Sequence, residues 1–205
     1  AASMALRAAE PAYDLIIGRG LVYDGSGGAP LRVDIGIRGD RVLRIGDLAT
    51  ATAARRIDAA GLAVAPGFID LHAHLEPLER MPDAESAVRQ GVTTALGGPD
   101  GNSPLPLGEF FARIEKLPLG LNVAFLAGQG AIRSAVMKLV DRAPTPAELD
   151  TMKAKVAAAM RDGAFGLSTG LKYLPGTFSK TDEIVALARV AAAAGGIYTS
   201  HLREE

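Results

Sequence analysis

Three histidines stand where they could bind a metal ion. His72 and His74 lie two residues apart after an apolar run, and His201 follows another strand-like run. Side chains two apart on an extended segment point to the same side, as chelation of one ion requires. Zinc favours imidazole nitrogens, lowers the pKa of water and polarises a carbonyl group. We therefore predict that these histidines bind a metal ion; the alternative is a chance pair of surface histidines.

The elements that must position these histidines alternate between strands and helices from residue 64 onward. Strands are predicted at 64–74, 92–96, 122–126, 164–168 and 197–200, and helices at 83–90, at 107–117, from 145 and at 179–194. Strict alternation predicts an α/β fold with parallel strands and crossover helices. The spacing suits the first five βα units of a (β/α)8 TIM-type barrel, whose active sites lie at the C-terminal strand ends. A doubly wound sheet is the competing architecture, but no Gly-rich nucleotide loop follows the first strand.

The first 63 residues have a different texture, with short apolar runs separated by turn residues. This pattern predicts part of a small β-sandwich module, in which Gly39 and Asp40 form a two-residue hairpin loop. Residues 64–205 would then be the first part of the barrel. Because the sequence stops on charged residues straight after a strand-like run, we expect the remainder of the barrel to follow in a longer chain.

Composition excludes several classes of protein. A hydrophobic content of 48% and a net charge of -1 suit a globular protein without a basic face for nucleic acid. No apolar run is long enough to span a membrane. Cysteine is absent, which excludes thiolate ligands. We expect a cytoplasmic protein; a periplasmic one is the alternative if the first eleven residues are a leader remnant.

Three segments resemble a known family. Residues 66–74, Pro-Gly-Phe-Ile-Asp-Leu-His-Ala-His, resemble the first-strand signature of the amidohydrolase superfamily, and residues 163–176 and 195–203 resemble its N-acyl-D-amino-acid deacylase (D-aminoacylase) branch. The resemblance implies a barrel flanked by a small β-sandwich, with zinc at the barrel mouth and N-acyl-D-amino acids as small-molecule substrates. It also implies that a further histidine and the general-base aspartate lie beyond residue 205.

The sequence departs from this branch at two places. Gly98-Pro99-Asp100-Gly101 stands where the branch commonly carries Gly-Asn-Cys-Gly with its cysteine on the metal, and Gln129 stands where relatives tend to place a histidine. Asp100 is therefore a candidate replacement ligand. A simple Pro-Asp-Gly turn is the alternative interpretation.

Lys172 is a second candidate for the lost thiolate. It follows the fourth strand, where binuclear superfamily members keep a lysine carboxylated by CO₂. A free ammonium cannot bind a metal because it has no lone pair, whereas a carbamate is a bridging anion. The resemblance therefore implies His72, His74, His201 and carboxylated Lys172 as ligands. A solvated or ion-paired lysine is the alternative.

Three further residues are candidates for supporting roles. Tyr173 corresponds to a tyrosine that contacts substrate in the deacylases, and the planar guanidinium of Arg203 suits a substrate carboxylate. A structural ion pair of Arg203 with Glu204 or Glu205 is the alternative. Asp70 precedes His72 and is expected to brace the strand or a metal ligand; direct binding of the metal by Asp70 is the alternative.

Two other functions are compatible with the metal motif. One is hydrolysis of cyclic amides, as in dihydroorotases and hydantoinases. The other is a non-catalytic amidohydrolase-like scaffold protein that has lost its metal, against which three retained histidines argue. The sequence leaves the oligomeric state open.

Overall fold

The computed structural model describes residues 11–204. These residues form two compact units, one ending at Pro66 and the other beginning at Gly67. The candidate leader remnant, residues 1–11, lies almost entirely outside the described residues.

The first unit is built from short β-strands. They are β1 (Tyr13–Gly18), β2 (Leu21–Val22), β3 (Leu31–Arg32), β4 (Asp34–Arg38), β5 (Arg41–Gly46), β6 (Ala53–Asp58) and β7 (Ala63–Val64). A four-stranded sheet has the order β5-β4-β1-β6, and a three-stranded sheet has the order β3-β2-β7. Arg38 pairs with Arg41 across the turn between β4 and β5, which confirms the hairpin loop at Gly39 and Asp40. Gly39 has a φ of 58°, the left-handed conformation that such a loop needs.

The second unit alternates strands and helices. They are β8 (Phe68–Asp70), α1 (Glu85–Val88), β9 (Val92–Gly97), α2 (Leu107–Ile114), β10 (Asn122–Gly128), α3 (Gln129–Met137), α4 (Pro146–Arg161), β11 (Gly166–Gly170), α5 (Thr181–Ala193) and β12 (Ile197–His201). A short 3₁₀ turn spans Gly176–Phe178. The five strands form one sheet in the order β12-β11-β10-β9-β8, and every neighbouring pair is parallel. This half-barrel arrangement confirms the predicted α/β class and brings all five carboxyl ends to one edge.

Apolar side chains hold the helices against this sheet. Phe110 of α2 meets Phe125 of β10 edge to face, with 4.9 Å between ring centroids. Met152 of α4, Leu167 of β11 and Leu187 of α5 are fully buried in the same core. Burying such a side chain contributes about 1.5–3 kcal/mol, so this packing fixes where the strands end. No helix within residues 11–204 has the length and apolarity to cross a membrane.

Two features differ from what the sequence predicts. The strand predicted at 64–74 is too long. Val64 pairs with β2 of the first unit, and only Phe68–Asp70 joins the parallel sheet of the second unit. Helix α3 is absent from the sequence prediction. Its buried face carries Gln129 and Arg133 beside Ile132, so the usual apolar periodicity is interrupted.

Candidate metal centre

Histidines from the ends of two strands converge on the carboxylate of Asp100, which follows a third strand. The Nε2 atoms of His72 and His74, which follow β8, each lie 3.3 Å from Oδ2 of Asp100, which follows β9. His201, the last residue of β12, places Nδ1 3.5 Å from the other oxygen, Oδ1. The structure thus brings together all three histidines that the sequence singled out.

Hydrogen bonds and close backbone contacts fix the loop that carries Asp100. Gly98 and Gly101 have φ values of 72° and 75°, and a side chain at either would collide with the backbone of a neighbouring strand. Buried Ser168 of β11 donates to the carbonyl of Gly98 at 2.6 Å and accepts from the amide of Gly101 at 3.1 Å. Asp100 itself has a φ of 57°, which aspartate tolerates better than most residues. Asp100 therefore lies in a turn and also contacts the three histidines.

The histidine pair is also held by neighbouring carboxylates. Oδ1 of Asp70 accepts a hydrogen bond from the backbone amide of His72 at 3.0 Å, which bends the chain out of β8. His74 Nδ1 lies 3.4 Å from Oε1 of Glu76, a residue that sequence reasoning missed. Its position two residues after a candidate ligand was the available signal, since a carboxylate commonly orients a metal-binding imidazole.

The donors fit a divalent metal ion. One ligand atom each of His72, His74 and Asp100 lies within 4.8 Å of the others. The Asp100 side chain is only 11% exposed, and its Oδ1 is buried without a hydrogen bond from any described residue. A buried carboxylate oxygen without a hydrogen bond is costly, whereas a cation among these nitrogen and oxygen donors would satisfy it.

Of the predicted supporting residues, Tyr173 contacts this cluster and Arg203 contacts the segment that follows Tyr173. The Tyr173 hydroxyl is 3.4 Å from Nδ1 of His201, and their rings are 4.8 Å apart. Arg203 donates to the carbonyls of Thr177 at 3.0 Å and Ser179 at 2.9 Å. In the structure Arg203 therefore holds the segment that follows Tyr173; Glu205, one of its predicted partners, is outside the described residues.

Lys172 lies exposed in the turn after β11. It is not among the residues that line the cleft beside the histidines. Carboxylation of its amine stays a prediction.

An open cleft of about 880 Å³ adjoins the cluster. His74, Asp100 and Tyr173 line one part of it, and residues of α3 line another. Its volume is within the range of about 300–1,000 Å³ that is typical of small-molecule sites.

Comparison with known proteins places this arrangement in a family, although no family model matches the chain. It is 37% identical to D-aminoacylase from Alcaligenes xylosoxydans xylosoxydans, over 94% of this chain and 45% of that protein. It is 41% identical to N-acyl-D-glutamate deacylase from the same organism, over 94% of this chain and 44% of that protein. The chain thus spans less than half the length of these relatives.

Solved structures agree with these relatives. N-acyl-D-glutamate deacylase from Bordetella bronchiseptica superposes with a TM-score of 0.88 at 36% identity, covering 94% of this chain and 46% of that one. That structure is a complex with zinc and a phosphonate inhibitor that mimics the tetrahedral intermediate. A D-aminoacylase described as defining a novel subset of amidohydrolases gives 0.88 at 34% identity, with the same coverage. A D-hydantoinase from a Bacillus species, at 17% identity and a TM-score of 0.57, covers 91% of this chain and 39% of its own and shares the fold alone.

A parallel sheet with histidines and a carboxylate at its carboxyl edge is characteristic of a class of metal-binding α/β proteins. Within that class, the chain belongs to the D-aminoacylase branch of the amidohydrolase superfamily.

Proposed function

We propose that the complete protein is a zinc-dependent hydrolase that removes the acyl group from N-acyl-D-amino acids. The observation that carries this proposal is the convergence of His72, His74 and Asp100 within 4.8 Å at the edge of an open cleft. The deacylases to which the chain is 36–41% identical support the substrate class.

The metal would be held by His72, His74, Asp100 and His201. Oδ2 of Asp100 faces the histidine pair and Oδ1 faces His201, so a single carboxylate offers one oxygen to each side of the site. This two-sided arrangement supports one or two ions. When bound, zinc lowers the pKa of water and polarises the scissile carbonyl.

The chain's own residues would orient the reactants. Asp70 fixes the backbone at His72, and Glu76 orients the ring of His74. Tyr173 lines the cleft beside His201 and would contact the substrate. The general base that moves the proton to the leaving amine would come from the part of the enzyme after residue 205, as would a further metal ligand.

The finer architecture is part of the same proposal. The five parallel strands in sequential order would be the first five of the eight strands of a closed (β/α)8 barrel, and the strands of the first unit would form part of a β-sandwich. Residues 1–63 and 64–205 would be the corresponding domain segments. We further propose a cytoplasmic location, a substrate carboxylate contact for Arg203 and a carbamate on Lys172 as an additional ligand.

The test is a double substitution, His72→Ala with His74→Ala, in the complete enzyme. Zinc content measured by mass spectrometry should fall, and hydrolysis of N-acetyl-D-amino acids should drop to background, because two of the nitrogen donors are lost. Arg89→Ala, which removes only an exposed ion pair with Glu85 on α1, is the control and should keep both.

Two outcomes would contradict the proposed function. One is deacylation that persists after zinc is lost from the double variant. The other is a wild-type enzyme that cleaves hydantoins or dihydroorotate but no acyl amino acid, which would indicate a cyclic-amide hydrolase.

A further inference from the structure

The backbone at Lys138, just after α3, has an unusual conformation. Its φ is 60° and its ψ is -145°, a region that glycine occupies almost alone. A residue with a side chain is strained there and persists only where the surrounding structure imposes the conformation. The presence of a lysine at such a position calls for a physical reason.

A buried ion pair imposes this turn. Arg133 and Glu183 are 0% and 4% exposed and bind each other directly. The Arg133 guanidinium also donates to the carbonyls of Val140 at 3.3 Å and Arg142 at 2.7 Å. These bonds pull the chain back towards α3 and force a sharp turn at residue 138. They explain the backbone but do not require a lysine side chain.

Lys138 lines the same cleft as His74 and Asp100. Glu76 and Asp100 line the end of the cleft near the proposed metal site, and Lys138 is the one lysine or arginine in its lining among residues 11–204. No ion pair within that part of the chain involves Lys138. An exposed cation at the wall of a substrate-sized cleft is suited to bind an anionic group of the ligand.

The length of α3 sets the distance from the reacting centre. The amide of Ala131, in the first turn, donates to the carbonyl of Gly101, next to Asp100, at 3.0 Å. The helix runs nine residues, Gln129–Met137, which at 1.5 Å per residue places Lys138 roughly 13 Å along the axis from that end. The carbon of the α-carboxylate in an acyl amino acid is only two bonds from the scissile nitrogen, so this group lies close to the metal. Lys138 is too far from the metal to bind it.

We propose that Lys138 determines specificity by binding a carboxylate that the substrate carries at a distance from the scissile amide. This inference rests on the proposed deacylase function and adds a substrate class to it. The carboxylate belongs to an acidic amino-acid side chain or to the end of a dicarboxylic acyl group. Apolar residues of the cleft wall, such as Leu105, Ala135 and Leu139, contact the methylene groups between the two ends.

The experiment compares charged and neutral substrates of the same shape with the complete enzyme. The ratio of kcat/KM for N-acetyl-D-glutamate to that for N-acetyl-D-glutamine should fall about tenfold in Lys138→Met, as expected for loss of a charge-assisted hydrogen bond. Lys138→Arg keeps the charge and should retain most of the preference. Lys116→Met removes an exposed lysine outside the cleft and is the matched control, with an unchanged ratio.

A second pair of substrates identifies the source of the carboxylate. N-succinyl-D-leucine and the amide of its succinyl end differ only in the charge of the acyl group. A fall of either ratio in Lys138→Met supports the proposal and tells which end of the substrate carries the acid. Unchanged ratios for both pairs would overturn it. An equal loss on every substrate, N-acetyl-D-leucine included, would also overturn it, since that result indicates an α-carboxylate contact.

Lys138→Gly separates recognition from folding. Glycine relieves the strained backbone, so the melting temperature should rise by about 2–4 °C while the glutamate preference falls as in Lys138→Met. A lower preference in a more stable protein cannot be attributed to misfolding. If the wild-type enzyme hydrolyses no acyl amino acid at all, the proposed function fails and this inference fails with it, a result distinct from hydrolysis with unchanged ratios.

Discussion

At the scale of single residues, Asp100 joins the turn after β9 to the histidine cluster. It has the left-handed backbone of a turn, and its two carboxylate oxygens face different histidines. The sequence contains no cysteine, so the site has only nitrogen and oxygen donors. Such donors suit zinc and other first-row divalent ions better than soft, thiophilic metals.

Asparagine at this position separates the two roles of Asp100. Asn tolerates the left-handed conformation, so metal-free Asp100→Asn should fold with the melting temperature of the metal-free wild type. Zinc affinity should fall by more than about tenfold, because even the loss of a residue that only orients a ligand costs 10–100-fold. Isothermal titration of the metal-free enzyme with zinc measures the change. Equal affinity in the variant would mean that Asp100 serves the turn alone.

The histidines could be predicted from the sequence, but some of the residues that surround them could not. His72, His74 and His201 could be predicted because strand ends in an α/β fold meet at one edge. Ser168 could not, since its role depends on hydrogen bonds to Gly98 and Gly101, residues some 70 positions away in the chain. Contacts of that kind leave no local pattern in a sequence.

At the scale of secondary-structure elements, local signals decided which predictions were right. Helix α4 begins with a capping box, in which Thr145 accepts from the amide of Glu148 and Glu148 accepts from the amide of Thr145. That motif is complete within four residues, so the sequence predicts it well. Helix α3 has no side-chain cap, and its buried Arg133 depends on Glu183 of α5. Its existence follows from tertiary contacts, which explains why the sequence missed it.

The capping box of α4 predicts a pH dependence of stability. Two hydrogen bonds from Arg142 at 2.7 Å, with help from the Thr145 amide, lower the pKa of Glu148 from 4.5 to about 2. A carboxylate whose pKa is lowered on folding stabilises the protein above its unfolded pKa, and that contribution is lost as the pH falls towards the folded value. Glu148→Gln should therefore destabilise the protein at pH 7, with a difference from wild type that shrinks below about pH 4.5.

Urea unfolding of the complete protein between pH 7 and pH 3 measures this difference. Thr145→Ala is the companion variant, because it removes the hydroxyl of the same cap and should cost about 1 kcal/mol at pH 7. A gap between wild type and Glu148→Gln that stays constant down to pH 3 would contradict the assignment of the low pKa to this cap.

At the scale of the whole molecule, the parallel sheet has two edges. β8 pairs only with β9, and β12 pairs only with β11, among the strands that the structure describes. Apolar side chains lie exposed along both edge strands: Phe68 and Ile69 on β8, and Ile197 and Tyr198 on β12. Unpaired strands with exposed apolar residues are sites of aggregation, so both edges are open to pairing with another strand. In a closed barrel they would be covered by the remaining strands of the same sheet.

The exposed edge of β8 predicts that one substitution has opposite effects in the isolated 205 residues and in the complete enzyme. Residues 1–205 expressed alone should aggregate, and Ile69→Lys should reduce the aggregation, because a charge on an edge strand opposes pairing with another chain. In the complete enzyme the same lysine would be buried against neighbouring strands and should lower the melting temperature, since a buried unpaired charge is costly. Light scattering of the 205-residue chain and thermal unfolding of the full enzyme give the two readings. A soluble monomer formed by the unmodified 205 residues, or a full enzyme indifferent to Ile69→Lys, would mean that the edge of β8 is not closed by other strands.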